Sequence, residues 1–165
     1  MFYNSIKCIR SIRMGGFDMT QIKRLQYGGP LWRAVAQYAM ACSWKAGPAL
    51  ARKMREGGFS GWEGVFAALC GGEIAGYCTL AITDCIPDVE YTPYIGFVFV
   101  GERHRGQRIS QRMIRCALEY AKAIGFDKVY LVSGEKGLYE KYGFVKMEER
   151  KDIFGRDEQI FCIEI

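Results

Sequence analysis

The chain of 165 residues holds a single histidine, His104, and four prolines. Its seven cysteines (Cys8, Cys42, Cys70, Cys78, Cys85, Cys116 and Cys162) are odd in number and form no Cys-x-x-Cys pair. A Cys/His zinc site therefore has little material, and no metal is expected. The scattered thiols lie mostly in apolar surroundings and read as small buried hydrophobes of a reducing compartment, which implies a cytoplasmic location. A run of about 18 consecutive apolar residues is missing, so no membrane span is expected. So is a Gly-x-x-x-x-Gly-Lys-Ser/Thr loop, which disfavours a nucleotide-binding fold. Neither Ser110 nor Ser133 has a histidine nearby to activate it, so no serine triad is readable.

Positive charge is present but not spread. The net charge is +5, and Lys7, Arg10, Arg13, Lys23 and Arg24 against Asp18 put most of it in the first 24 residues. The rest is close to neutral, with one internal arginine cluster at Arg103, Arg105, Arg108 and Arg112. Without a basic face, nucleic acid is not expected as a partner.

Half the residues are apolar and a quarter are charged, which at this length suits one domain with a sizeable core. Residues 1–18 read as an N-terminal extension: they hold no apolar run long enough for a secretory signal, and Met14 and Met19 are alternative starts. A short basic amphipathic tail is the other reading of this segment. From residue 19 to 165 the pattern is regular. Gln21–Leu25 alternates as a first strand, Leu31–Ala46 reads as a helix, and Pro48 opens a second helix reaching about Glu56. Trp62–Leu69 and Ile74–Thr83 form a hairpin about Gly71-Gly72, and Tyr91–Val100 returns as a strand. After it, Ile109, Met113, Ile114, Ala117, Leu118, Ala121 and Ile124 line one face of a helix. Asp127–Ser133 is a strand, a short helix ends at Gly143-Phe144, and Val145–Arg150 and Glu158–Ile165 form a last hairpin around Gly155.

The most informative stretch joins the Phe97–Val100 strand to the following helix through a basic turn, Gly101 to Ser110. Free N–H groups at a helix N-terminus and the positive end of its dipole make an anion site, which a nearby Gly lets a ligand approach closely. Together with Leu138-Tyr139-Glu140-Lys141-Tyr142-Gly143-Phe144, this order resembles the GNAT superfamily of acyl-CoA-dependent N-acyltransferases, closely over residues 93–150 and by element order over 20–92. The family's Gln/Arg-x-x-Gly-x-Gly/Ala motif falls on Arg105-Gly106-Gln107-Arg108-Ile109-Ser110. Two positions depart: Arg108 stands where Gly is usual, so it must point away from the cofactor or fold over its phosphates, and Ser110 replaces a smaller residue.

The resemblance implies an α/β (α+β) fold with a mixed, mostly antiparallel sheet and helices on both faces, in the order β-α-α-β-β-β-α-β-α-β-β. It implies an N-acetyltransferase with acetyl-CoA as co-substrate and a small-molecule or peptide amine as acceptor; a homodimer is a family habit. Residues Arg105, Gly106, Gln107, Arg108, Ile109 and Ser110 would then hold the pyrophosphate. Val98 and Val100 would pair with the pantetheine arm and offer N–H groups to the oxyanion, and Ser133 would contact cofactor. Tyr139 matches the family's usual general acid, because a phenol stays protonated at neutral pH and can give its proton to the departing thiolate. As base, Glu90 lies just before the strand that bears the oxyanion site, and Asp84 and Asp88 in the same loop compete with it. Cys42 and Cys85 lack an evident base, so direct attack by the acceptor is expected rather than an acyl-enzyme. The aromatic residues Trp32, Trp44, Trp62, Tyr91 and Tyr94 suit either an acceptor entrance or core, at least three of them core. A GNAT-like module that holds acyl-CoA without turning it over is the alternative.

Overall fold

A computed structural model describes residues 20–165, so the reading of residues 1–18 lies outside the described residues. Seven strands form one sheet in the order β1-β2-β3-β4-β5-β7-β6. They are β1 (Thr20–Arg24), β2 (Gly64–Cys70), β3 (Glu73–Ala81), β4 (Tyr94–Val100), β5 (Lys128–Ser133), β6 (Val145–Lys151) and β7 (Asp157–Glu164). Every pairing is antiparallel except β4 with β5. Helices α1 (Pro30–Ala41) and α2 (Gly47–Arg55) cover one face, and α3 (Ile109–Ala123) covers the other. The expected fold class and element order hold, with one substitution: a single 3-10 turn, Glu140–Tyr142, stands where a short helix was expected.

Each layer follows from residue spacing. In α1, Trp32, Val35, Ala36 and Ala39 repeat at helical intervals and bury against Leu50, Val65 and Tyr77, with proline in the first turn where its missing N–H costs nothing. In α3, Ile109, Met113, Ile114, Ala117 and Ala121 do the same against Leu80, Ile95, Leu131 and Phe161. The α1 helix stops at Ala41, short of the expected Ala46. Beyond it Cys42 Sγ donates to the Ala39 carbonyl at 3.2 Å, and Trp44 leaves the helical path to stack on Phe99 of the sheet, centroids 6.0 Å apart and planes 5° apart. Half-buried there, the Trp44 ring exchanges the helical path for contacts with Phe97 and Phe99.

The feature that makes a site is the way β4 parts from β5. Their parallel pairing holds only at Tyr94↔Tyr130 and Ile95↔Leu131. Just beyond, the register of β4 against β3 shifts between Tyr77 and Thr79, and Phe97 takes a left-handed φ of 48°. A bulge of this kind bends the strand that carries it. Residues 96–100 of β4 therefore run free of β5, and the two strands open toward their C-terminal ends.

Candidate active site

The opening has two walls and a floor. Gly101 N–H donates to Ala75 of β3 at 2.9 Å. Because successive amides of a strand point to alternate sides, the Val100 N–H then faces the opening, and Val98 lies on the same edge beside the bulge. Their side chains are half-buried against the α3 layer, while Phe97 and Phe99 pack toward α1 and α2.

At the end of β4 the chain makes one 3-10 turn, Glu102–His104, and enters α3. The first helical bond runs from Arg112 N–H to the Arg108 carbonyl at 3.1 Å, so the amides of Ile109, Ser110 and Gln111 precede the ladder. No side chain caps this end and no acid lies in its first turn, which leaves its partial positive charge unopposed by the helix itself. Gly106 has φ +76°, and Arg108 has φ 57° and ψ 27°. Both are left-handed, so the position where the family motif carries Gly requires here the backbone form Gly adopts most cheaply, and Arg adopts it at a cost of about 1 kcal/mol. Gly106, Gln107 and Arg108 are exposed, as is Arg105. The Arg105 guanidinium folds back: Nε donates to the Val100 carbonyl at 3.1 Å and Nη2 pairs with Glu102 at 3.3 Å. Ser43 also donates to Glu102, and this bond first, with Arg105 last, holds that carboxyl below its usual range. Ser110 shares a 2.9 Å hydrogen bond with the Tyr142 hydroxyl, tying the head of α3 to the turn that follows β5. His104 sits part-exposed in the 3-10 turn, at the anion end.

Across the opening, Ser133 ends β5 and Tyr139 begins the turn that closes over it. Tyr139 is 7 % exposed, its ring set edge-on to Tyr142 and Phe144 and tilted on Phe161. Burial pushes its hydroxyl up to about 12, and a hydrogen bond with Ser133 pulls the other way. Ser133 Oγ accepts the Glu135 N–H at 3.0 Å, which leaves its own hydroxyl proton free to turn toward Tyr139. Ser133 is thus a neighbour of Tyr139, while Ser110 and Tyr142 are joined directly.

The carboxylates separate clearly. Glu90 and Asp88 are exposed in the β3–β4 loop. Asp84 is part-buried, its Oδ1 on the Cys85 N–H at 2.6 Å, and its Oδ2 lies where it would meet a Cβ on Gly96 at 2.8 Å. That glycine is the first residue of β4 past the last pairing with β5, and only the lack of a side chain admits the carboxylate. Burial raises the Asp84 pKa, against its bonds to Cys85 and the more distant Lys53. Burial and Asp84 push the Cys85 thiol up to about 12, which keeps it protonated and unreactive. The loop is held from outside by the β6–β7 hairpin, whose Ile153 N–H donates to the Cys85 carbonyl at 2.9 Å.

Of the aromatic residues weighed for the entrance, Trp32 is buried with its indole N–H on Met54, Trp44 lies on Phe99, and Trp62 packs edge-on to Phe126. Tyr91 and Tyr94 differ, standing with Tyr130 on the face opposite α3. Glu158 of β7 buries Oε2 against Gly134 just past the end of β5 and carries no local sequence signal. Gly96 inside an apolar strand was the one available pointer, since an interior strand glycine marks a close approach. Among the described residues no cluster of three or more His, Cys, Asp or Glu is placed to ligate a metal, and no helix is long and apolar enough to cross a membrane.

Known structures share this fold. A GNAT family acetyltransferase from Elizabethkingia anophelis, solved with acetyl-CoA bound, matches with a TM-score of 0.64 and 19% identity over 90% of this chain and 100% of that one. The GNAT family acetyltransferase from Streptococcus pneumoniae gives 0.61 and 17% over 88% and 99%. An aminoglycoside 6'-N-acetyltransferase complexed with coenzyme A gives 0.66 and 12% over 87% and 96%. No curated protein matches by sequence. Identities this low establish a shared fold and no more. The match at the level of sequence is to the acetyltransferase (GNAT) family over residues 32–144, well over half the chain, and the protein belongs to that family.

Proposed function

We propose that the protein transfers the acetyl group of acetyl-CoA to a primary amine by direct attack. The observation that carries this reading is the opening between β4 and β5, with amides on one side, a protonated Tyr139 on the other and an uncapped helix N-terminus at its end. These parts fit acetyl-CoA: the α3 amides and the Arg105–Ser110 turn suit a pyrophosphate, and the β4 edge at Val98 and Val100 suits an extended amide-bearing arm. When bound, acetyl-CoA supplies an activated acetyl thioester. Asp84 accepts a proton from the acceptor ammonium, taking the part that the sequence left among Glu90, Asp84 and Asp88. The amine nitrogen then forms a bond to the carbonyl carbon, and the Val98 N–H supports the oxyanion. As the carbon–sulfur bond breaks, Tyr139 gives its proton to the thiolate, and the resulting phenolate, steadied by Ser133, takes back the second proton of the attacking nitrogen, which leaves as the neutral amide.

Isothermal titration with acetyl-CoA is the first test, with dephospho-CoA and ATP as controls. Micromolar binding followed by amine acetylation is the expected result; binding without turnover of any amine would leave a module that holds acyl-CoA and no more. Arg108→Gly is expected to raise Tm by about 2–4 °C, from about 1 kcal/mol of relieved backbone cost. Its acetyl-CoA affinity should stay within about fivefold if the backbone carries the pyrophosphate, since an exposed charged contact contributes about 1 kcal/mol or less. A larger loss would put the guanidinium over the phosphates.

The pH profile has a stated sign. Asp84 must be ionised and its pKa is raised, so kcat should climb as pH rises above the ordinary carboxylate range. Tyr139 must be protonated and titrates at about 12, so no alkaline decline is expected below pH of about 10. Asp84→Asn should remove the acid limb. A profile of unchanged shape in that variant would exclude Asp84 as the base.

A further inference from the structure

On the face opposite α3, polar groups from three separate segments lie beside the opening, with the Asp84 charge felt by both of the others. Tyr94, at the start of β4, is 2 % exposed, and its hydroxyl has no hydrogen-bond partner among the described residues. Glu158 of β7 likewise buries Oε2 without a partner, against Gly134 just past the end of β5. Asp84 presents Oδ2 beside Gly96. Asp84 links the other two: burial and then Asp84 raise the Tyr94 hydroxyl, and Glu158 is raised by burial, with Asp152 and then Asp84 adding to it against Arg156. Arg156 itself is held by Asp152, at 2.6 Å from Nη2 to Oδ2.

This cluster is rich in acceptors and short of donors. Nature seldom leaves buried oxygens unpaired, because each then loses its water without replacement. A primary ammonium brings three N–H donors and one positive charge, which is what two carboxylates and a phenol oxygen lack. The stacked rings of Tyr91 and Tyr130, 4.8 Å apart, with Tyr94 tilted at 5.9 Å from Tyr130, add an apolar wall beside it.

We propose that Asp84, Tyr94 and Glu158 form an ammonium pocket and that the acceptor is a small dicationic amine. Its attacking nitrogen lies at Asp84, its second ammonium binds Glu158 and the Tyr94 hydroxyl, and the methylene chain between them runs along the tyrosine wall. The proposal rests on the acetyl-transfer reading and specifies its acceptor. Two carboxylates in one partly dry site also repel a carboxylate on the substrate, so free amino acids are rejected.

The test compares 1,4-diaminobutane, n-butylamine and 4-aminobutanoate as acceptors for the full chain. The diamine is expected to exceed the monoamine in kcat/KM by about tenfold or more, as a charge-assisted contact in a part-buried site allows, with 4-aminobutanoate slowest. A second readout needs no turnover: titration of 1,4-diaminobutane into protein saturated with CoA. Glu158→Gln should weaken that binding about tenfold and Tyr94→Phe several-fold, with acetyl-CoA affinity retained as the check that both variants fold. Equal rates for diamine and monoamine, or diamine binding indifferent to Glu158→Gln, would overturn the pocket. Diamine binding without acetylation would keep the pocket and overturn the transfer reading instead.

Discussion

Tyr139→Phe is expected to lower kcat about a hundredfold or more while leaving the affinity for acetyl-CoA unchanged, since a positioned general acid contributes about 10²–10⁴ in rate. The substitution is close to a pure deletion of the proton. The ring keeps its contacts with Tyr142, Phe144 and Phe161, and only the bond to Ser133 is lost. Such a bond contributes about 1 kcal/mol to stability, too little to unfold a domain of this size. Burial raises the hydroxyl to about 12, so in the wild type essentially every molecule carries the proton at neutral pH. A departing thiolate in the variant would have to take its proton from water, which is not positioned. Steady-state kinetics on any accepted amine, paired with titration of acetyl-CoA, checks both halves. An unchanged kcat would remove Tyr139 from the mechanism and leave it as a packed aromatic.

Gly76→Ala is expected to cost about 2–3 kcal/mol, read as a fall in Tm of about 5–10 °C, and to weaken acetyl-CoA binding with it. A Cβ at Gly76 would lie 2.4 Å from the Phe99 carbonyl oxygen and 3.2 Å from Val100 Cα. Those are backbone atoms of β4, which cannot rotate out of the way as a side chain can. Met113 Cε of α3, at 3.3 Å, closes the third side. The strand must shift, and the part that shifts pairs directly with Gly76 at Val100, on the edge that leads into the turn of Arg105 to Ser110. Stability and cofactor binding therefore fall together. Gly71→Ala provides the contrast: its site is open, its φ is +57°, and it lies in the β2–β3 turn away from the opening. It should lose about 1 kcal/mol and leave acetyl-CoA binding as it was. Normal binding by a destabilised Gly76→Ala protein would show that β4 adjusts without moving the site.

Some elements could be read from the chain because their cause is local. The spacing of Ile109, Met113, Ile114, Ala117 and Ala121 produces α3 by itself, and Gly71-Gly72 produces the β2–β3 hairpin, with φ values of +57° and +90°. The end of α1 could not be read so, because Trp44 is drawn off the helix by Phe99, 55 residues further along the chain. The strand that was expected from Tyr91 begins at Tyr94: Pro93 lacks the N–H a ladder needs, and the residues before it belong to the loop.

By itself the sequence determined the class of fold, the element order, the basic turn before α3 and the register of Tyr139 before Gly143. All of these depend on residues a few positions apart, where spacing and turn chemistry act directly. The tertiary structure alone decided that Arg108 takes the backbone form of the glycine it replaces, that Arg105 folds onto Val100 and Glu102, and that Asp84 rather than an exposed neighbour lies against Gly96. It also decided the pair Ser110 with Tyr142, the neighbourhood of Ser133 and Tyr139, and the Asp84 charge that reaches both Tyr94 and Glu158. These contacts exist because β4 bulges at Phe97 and parts from β5 after two paired residues, which brings distant segments to one opening. A bulge and a splay arise from the competition of neighbouring strands and layers for the same backbone, and no window of sequence contains both competitors.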